Sequence, residues 1–226
     1  MPGWRVSGSG GAWAPVGGNA VIDQESQRAV YQWQSFNIGS GASLTFQFKQ
    51  PDGSALNRVT GVDPSQIFGR LASTVPGADG KPVTGGTVLL INPNGILFGK
   101  GARVDTGALI ASTLNVGDSD YLSGFNASIN AQASTFKHEG GAELFTDERS
   151  FVLVESGAQI ATSSGGRIFL FAKNVRNDGS LSTPGGQTVL AGGDEVFLND
   201  PGSEKLYASE ANPAVPAVRG LLVEVG

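Results

Sequence analysis

The chain has 226 residues, with 34 glycines, 11 prolines and only 15% charged residues, and this length allows one or two domains with a substantial core. Its net charge of −5 disfavours a nucleic-acid partner, because no basic surface is left to hold a phosphate backbone. The absence of cysteine excludes a disulfide framework, a thiolate zinc site and a cysteine nucleophile.

Residues 1–17 are rich in glycine and lack the apolar core of a signal peptide. We therefore expect this segment to be flexible or to be an addition that precedes the natural sequence. Beyond them, short apolar runs alternate with Gly, Asn, Asp, Ser or Pro, which predicts strands and turns rather than helices. Several runs are apolar on both faces, so both faces of those strands should be buried. The predicted strands include 44–48, 88–91, 96–98, 151–154, 168–171, 196–198 and 221–223.

An internal repeat indicates which all-β fold is present. Three Gly-Gly pairs, at 85–86, 165–166 and 185–186, are each followed by an apolar run and a small polar residue. Setting them in register places Val88, Ile168 and Thr188 in one column and Leu90, Leu170 and Leu190 in another. The resulting unit of about 20 to 22 residues matches one coil of a parallel β-helix and gives about ten coils, whereas a sandwich does not by itself generate this register.

We expect residues 1–226 to form a single domain. Residues 18–85 repeat less clearly and are expected to hold an N-terminal cap and the first coils, and residues 86–226 the later coils. An extra-helical insertion or hairpin is predicted near 121–150. The segments predicted to be loops are 76–86, 117–120 and the tail that contains Pro213 and Pro216.

Candidate catalytic groups are few. His138 is the single histidine and has no neighbouring Ser, Asp or Cys constellation. A glycosidase needs two carboxyl groups that converge about 5 to 9 Å apart, whereas adjacent residues on a strand point to opposite faces. We therefore interpret His138 and the paired carboxylates as surface residues, and we expect no metal and no cofactor. The carboxylate pairs are Asp118 with Asp120, Asp147 with Glu148, and Asp194 with Glu195.

Five motifs follow one another in a fixed order along the chain. They read AVYQWQSFNIG at 29–39, LNRVTG at 56–61, DPSQIFGR at 63–70, LINPNGILFG at 90–99 and ASTL at 111–114. Together they resemble the secretion domain of two-partner secretion exoproteins, the family of the filamentous haemagglutinin-like adhesins. The resemblance covers roughly residues 18–226.

The resemblance implies an all-β fold, a right-handed parallel β-helix with an N-terminal β cap and a small extra-helical hairpin. It also implies a secretion module rather than an enzyme, in a type V secretion system of a Gram-negative bacterium. The implied partner is a dedicated outer-membrane β-barrel transporter, whose periplasmic POTRA domains recognise the unfolded chain. The domain then folds at the cell surface and nucleates the folding of a downstream adhesin, haemolysin or contact-dependent inhibition toxin, which would contact a host or neighbouring cell.

The residues that the resemblance marks for transporter recognition or folding lie in two of the motifs. They are Asn57, Arg58, Asn92, Pro93, Asn94 and Gly95. Without the resemblance, residues 92–95 would simply be a turn, because Pro fixes its first corner and Asn and Gly accept positive φ. Two other functions stay open, a polysaccharide-acting β-helix enzyme and a coil that binds a glycan through exposed aromatic rings.

Overall fold

The structure is a computed structural model that describes residues 4–8, 17–124, 134–138, 149–199 and 222–225. These residues form strands almost throughout, with one short helix, α1 (Asp118–Leu122). In chain order the strands are β1 (Trp4–Ser7), β2 (Asn19–Gln24), β3 (Arg28–Trp33), β4 (Ser43–Phe48), β5 (Ser54–Val59), β6 (Ser65–Ile67), β7 (Arg70–Pro76), β8 (Pro82–Thr84), β9 (Thr87–Ile91), β10 (Ile96–Phe98), β11 (Arg103–Thr106), β12 (Ala108–Ser112), β13 (Ser134–Lys137), β14 (Phe151–Val154), β15 (Gln159–Thr162), β16 (Arg167–Ala172), β17 (Asn174–Asn177), β18 (Ser180–Ser182), β19 (Gln187–Gly192), β20 (Glu195–Asn199) and β21 (Leu222–Val225).

Three parallel sheets wrap around one core. Sheet 1 has the order β1-β3-β5-β9-β12-β16-β19, sheet 2 the order β17-β14-β10-β6, and sheet 3 the order β18-β15-β11-β7-β4-β2. The chain passes from sheet 3 to sheet 1 to sheet 2 and back, so that each circuit stacks on the previous one, as in a parallel β-helix. β1 is the exception in sheet 1, because it runs antiparallel to β3 at the N-terminal edge.

The columns that the repeat predicts are confirmed by the strand register. In sheet 1, Val88 pairs with Leu109, Leu109 with Ile168, and Ile168 with Thr188. The second column likewise runs through Leu90, Ala111, Leu170 and Leu190. The repeat missed the coil that contains β12, because that coil carries a single glycine, Gly107, in place of the Gly-Gly pair.

A column of stacked glycines explains the repeat physically. A Cβ added at Gly107 would overlap the carbonyl oxygen of Gly86, one at Gly166 would overlap that of Gly107, and one at Gly186 would overlap that of Gly166. Successive coils therefore approach so closely at this corner that the backbone of one coil fills the space of a side chain. This contact requires Gly166 and Gly186, the second glycines of the two later pairs, whereas a Cβ at Gly86 would overlap the ring of Phe48 and approach the carbonyl oxygen of Gly53.

The expectation of about ten coils is wrong. Within the described residues sheet 1 holds six parallel strands, and the five spacings between them, at about 4.8 Å each, correspond to about 24 Å of stacked coils. Two features shorten the stack. The chain leaves the coils after β12 and returns at β14, and the early coils are longer than 20 to 22 residues, since Ala29 pairs with Ala55 and Ala55 with Val88.

Two predicted loops contain regular structure. Residues 76–86 include β8, which folds back antiparallel on β7, and residues 117–120 enter α1. The strand predicted at 196–198 lies in β20, but β20 pairs antiparallel with β13 and β21 outside the coils. The extra-helical element is therefore a three-stranded sheet rather than a hairpin of the insertion alone. Residues 125–133, 139–148 and both tail prolines lie outside the described residues.

Sheet 1 is buried on both faces in β5, β9, β12 and β16, as their apolar runs predict, whereas Leu190 is exposed in the terminal strand β19. Its inner face contributes to the coil core, and its outer face carries a second cluster that includes Leu89, Ile110 and Phe169. Tyr121 of α1, Phe136 of β13 and Val196 of β20 cover this outer face and are fully buried. The extra-helical layer thus supplies the second apolar surface that strands apolar on both faces require.

Among the residues that the structure describes, no helix is long and apolar enough to cross a membrane.

Candidate functional site

Asn57 is a polar residue inside the coil, and it is fully buried. Its place in β5 directs it into the inner column between Tyr31 and Leu90. Its Oδ1 accepts a hydrogen bond of 3.0 Å from Nε1 of Trp33 in the preceding coil, and its Nδ2 donates a hydrogen bond of 3.0 Å to the carbonyl oxygen of Leu89 in the following coil. One side chain therefore joins three consecutive coils of sheet 1.

Arg58 faces the opposite side of β5 and holds the segment that leaves the coils after β12. Its Nε donates to Oδ1 of Asn115 at 2.9 Å, and one terminal nitrogen donates to the carbonyl oxygen of Val116 at 2.9 Å. The other terminal nitrogen forms an ion pair of 2.7 Å with Asp118 at the start of α1. Arg58 thus fixes residues 115–118 over the second coil.

Asn92 and Asn94 lie at the corner between sheets 1 and 2. The fully buried Asn92 donates from Nδ2 to the carbonyl oxygen of Asp63 and to the hydroxyl of Ser65, both at 3.0 Å. Its Oδ1 accepts from the backbone N–H of Asn94 at 3.0 Å, and Nδ2 of Asn94 donates to the carbonyl oxygen of Gly61 at 2.9 Å. The two amides therefore tie this corner to the corner of the preceding coil.

Pro93 and Gly95 complete the same turn. Pro93 occupies its first corner, where a fixed φ suits the turn. The backbone N–H of Gly95 donates to the carbonyl oxygen of Asn92 at 3.1 Å, and the φ of Gly95 is 112°, a value that favours glycine. Gly95 also lies beneath the ring of Phe151 in the following coil, since an added Cβ would be 2.5 Å from Cε1 of that ring.

The sequence-predicted residues fall into two places rather than one. Asn57 points into the coil, Arg58 points out toward α1, and residues 92–95 form a separate corner at the join of two sheets. Each group contacts a part of the chain outside its own coil, because Asn57 and Asn92 bond to neighbouring coils and Arg58 bonds to residues 115–118.

Two of the candidate catalytic residues have structural contacts in the described part of the chain. Asp118 is engaged by Arg58, and the backbone N–H of His138 donates to the carbonyl oxygen of Asp194 at 3.1 Å. Asp147 and Glu148 lie outside the described residues. Within the described part of the chain, no three residues among His, Asp and Glu come together as a metal-binding group would require.

A buried network around the first coils escaped the sequence reasoning. Gln24 is fully buried at the corner that joins β2 to β3, and its Nε2 donates to the carbonyl oxygen of Ser54 at 2.8 Å. The hydroxyl of Ser54 accepts from that of Tyr121 at 3.0 Å, which links α1 to the second coil. Burial raises the pKa of Tyr121 well above its ordinary range. These residues carried no signal in the sequence, because a single Gln, Ser or Tyr among strands is unremarkable.

The ASTL motif closes the base of the excursion between β12 and β14. The hydroxyls of Thr113 and Ser150, at its start and end, are hydrogen-bonded at 2.7 Å and both residues are buried. The hydroxyl of Ser112 also accepts a hydrogen bond of 2.9 Å from the backbone N–H of Leu114. The coil therefore continues across this excursion as though its two ends were joined directly.

Comparisons with known proteins agree with this architecture. The chain is 37% identical over 100 residues to a heme/hemopexin-binding protein of Haemophilus influenzae strain Rd and 35% identical over 93 residues to another from that species. These matches cover 43% and 41% of this chain but only 10% and 9% of the relatives, so the chain spans a small part of their length.

The crystal structure of the HMW1 secretion domain from Haemophilus influenzae matches with a TM-score of 0.68 and 26% identity, over 88% of this chain and 46% of that one. The model of the TPS secretion domain family matches residues 7–221. The stacked coils, the five ordered motifs and these matches lead to one conclusion. The chain belongs to the two-partner secretion (TPS) domain family.

Proposed function

We propose that this domain is a secretion module that a dedicated outer-membrane β-barrel transporter recognises, through periplasmic POTRA domains, while the chain is still unfolded. The observation that carries the proposal is the burial of Asn57 and Asn92, which have no exposed surface in the folded domain. Their amide groups are engaged by Trp33, Leu89, Asp63 and other neighbours. A transporter can therefore reach these motif residues only before the coils close.

Strand addition is the binding mode that we propose for the unfolded chain. An extended segment can pair with the exposed edge of a periplasmic domain, where main-chain hydrogen bonds supply affinity and alternate side chains supply specificity. The motifs at 56–61 and 90–99 suit this mode, because in the folded domain residues 56–59, 90–91 and 96–98 lie on strands with alternating inner and outer side chains.

We propose that folding follows passage through the barrel and takes place at the surface of a Gram-negative cell. In a stack of coils each new coil gains its burial against the previous one, so the first coils form a base for the rest. Asn57 and Gln24 would secure that base through hydrogen bonds between coils. The same stack would then support the folding of a following adhesin or toxin region of an exoprotein.

We further propose that the domain is not catalytic. This proposal is supported by the roles of its buried polar side chains, since Asn57, Asn92 and Gln24 are engaged by backbone and side-chain partners that hold coils together. An assay of the purified chain against a panel of polysaccharides tests it directly, because turnover of any member would contradict it.

Binding of the chain to the isolated periplasmic domains of its transporter tests the proposed recognition. We expect the urea-unfolded chain, diluted into buffer immediately before mixing, to bind, and the refolded chain to bind at least about tenfold more weakly. Asn92→Ala should weaken binding of the unfolded chain, whereas the matched control Asn174→Ala, at an exposed position of β17, should not. Equal binding of folded and unfolded chains would contradict the proposal.

A further inference from the structure

The sequence contains twelve asparagines, and only Asn94 is followed by glycine. We propose that Asn94 is a site of spontaneous deamidation that is open in the unfolded chain and closed by stacking of the coils. We also propose that the deamidated chain cannot rebuild the corner at residues 92–95. The chemical part of this proposal concerns the chain alone, and its consequence for export rests on the proposed function.

The reaction needs no reagent besides water. The backbone nitrogen of Gly95 attacks Cγ of Asn94, a C–N bond forms, and Nδ2 leaves as ammonia after taking up the proton released by the backbone nitrogen. Water then opens the resulting succinimide at one of its two carbonyl groups, which yields aspartate or isoaspartate. Glycine favours the first step, because the absence of a side chain leaves the nitrogen unhindered and the backbone free to reach the required geometry.

In the folded domain both reacting groups are engaged elsewhere. The N–H of Gly95 donates to the carbonyl oxygen of Asn92 at 3.1 Å, inside the turn. Nδ2 of Asn94 donates to the carbonyl oxygen of Gly61 at 2.9 Å and to Oδ1 of Asn92 at 3.2 Å. The carboxamide is therefore anchored to the preceding coil, and the reaction would first have to break these hydrogen bonds.

The following coil closes the corner from the other side. Gly95 is buried beneath Phe151, and a single added carbon on Gly95 would stand 2.5 Å from Cε1 of Phe151 and 2.9 Å from the carbonyl oxygen of Arg149. The succinimide ring joins the side chain of Asn94 to the nitrogen of Gly95, so it needs room at this crowded point. Protection of Asn94 from succinimide formation should therefore require both the turn itself and the pairing of β14 with β10.

Neither product fits the folded corner. The side chain of an aspartate at position 94 has no N–H group. Its carboxylate would therefore face two other acceptors, the carbonyl oxygen of Gly61 and Oδ1 of Asn92, without a hydrogen to share. An isoaspartate lengthens the main chain by one carbon immediately before Gly95, where the N–H to Asn92 closes the turn. Both changes disrupt the contact between this corner and the preceding one.

For a chain that waits unfolded before export, this chemistry would set a limit on the waiting time. Chains that deamidate before export would lose a corner that every later coil stacks upon. Folding outside the cell would then end the risk, because the preceding coil holds the carboxamide of Asn94 and the following coil covers Gly95.

Peptide mapping by mass spectrometry tests the proposal. The 226-residue chain is held in mildly alkaline buffer prepared with heavy-oxygen water, either native or in urea, and digested after set times. We expect heavy oxygen to enter the Asn94 peptide at least about tenfold faster in urea than in native buffer. Peptides that contain Asn57 or Asn115, which precede Arg and Val, serve as internal controls and should label more slowly than the Asn94 peptide in urea.

Refolding of the partly deamidated sample tests the second part of the proposal, that the deamidated chain cannot rebuild the corner at residues 92–95. Protease digestion should leave a resistant fraction that is depleted in the modified Asn94 peptide. The variant Asn94→Asp should show a folded-to-unfolded ratio about tenfold below wild type, because the hydrogen bond to Gly61 is lost and two oxygens face the new carboxylate. Equal labelling rates in native buffer and urea would contradict the claim that folding protects Asn94 from deamidation. Full recovery of the modified chains in the protease-resistant fraction would contradict the claim that deamidation prevents refolding. Neither result depends on a transporter, so a failure here is distinct from a failure of the proposed recognition.

Discussion

The indole nitrogen of Trp33 donates a hydrogen bond of 3.0 Å to the side-chain oxygen of Asn57 inside the stack of coils. Both residues are buried, and the aromatic ring of Trp33 also lies edge-on to Phe36 at a centroid distance of 5.2 Å. A polar pair in an apolar core is stable only when each group finds its partner, so this bond fixes how the first coil sits on the second.

Replacing Asn57 should therefore be costly. Asn57→Ala leaves the N–H of Trp33 without its partner and creates a cavity, and we expect the free energy of unfolding to fall by about 2 to 4 kcal/mol. Urea denaturation measures this change. In a double-mutant cycle with Trp33→Phe, which keeps an aromatic ring but removes the N–H, the two changes should couple by about 1 kcal/mol. Additive effects would show that the hydrogen bond contributes nothing.

The glycine column allows a test with an adjacent control. Gly166→Ala places a methyl group against the carbonyl oxygen of Gly107 and the side chain of Thr162, and we expect a loss of more than about 3 kcal/mol or failure to fold. Gly165→Ala should cost only about 1 to 2 kcal/mol, because its φ is 75° but no atom lies within 4 Å of the added carbon. Thermal and urea unfolding of both variants compare the costs. Similar losses for the two variants would contradict the close stacking of coils at this corner.

Removal of the Arg58 side chain should lower the free energy of unfolding by more than removal of its ion pair with Asp118 alone. Asp118 is 42% exposed, so removal of its carboxylate should cost only about 0.5 to 1 kcal/mol. Arg58→Ala also removes the hydrogen bonds to Asn115 and Val116, and we expect about 2 kcal/mol. Comparison of Asp118→Asn with Arg58→Ala by urea denaturation separates these contributions. Equal effects of the two substitutions would mean that the bonds to 115–116 are not made.

The buried phenol of Tyr121 makes stability sensitive to alkaline pH. Its pKa is raised above the ordinary value of 10.0 by burial, so the unfolded chain releases this proton at lower pH than the folded domain does. The contribution is therefore complete below pH 10.0 and is lost as pH rises toward the folded pKa. Between pH 10 and 11 wild type should lose stability faster than Tyr121→Phe, by up to about 1.4 kcal/mol per pH unit. Parallel slopes for the two proteins would contradict this.

The coils could be predicted because their geometry imposes a repeat on the sequence. Gly166 and Gly186 each lie against the backbone of the preceding coil, so the spacing between these two glycines reports the length of a coil. The number of coils could not be predicted from chain length, because a segment that leaves the stack leaves no mark in a repeat count. Gly107 illustrates the same limit, since a coil with one glycine satisfies the contact but breaks the pattern.

The candidate site was predicted only in part. The resemblance picked out Asn57 and Asn92, whose roles as links between coils require the structure, because their partners lie 24 to 32 residues away in the chain. Whether these residues also act in recognition stays a prediction. Gln24 and Tyr121 join the same set of contacts, yet a buried polar residue within a short strand has no periodic signal that would reveal it.

Export is the measurement that tests the central claim most directly. The chain, preceded by a signal peptide, is expressed with and without its candidate POTRA-bearing transporter, and the medium is assayed for folded, protease-resistant protein. We predict that release requires the transporter, and that Asn92→Ala releases less protein than Asn174→Ala. Equal release with and without the transporter, or a folded domain retained in the periplasm in both strains, would contradict the account.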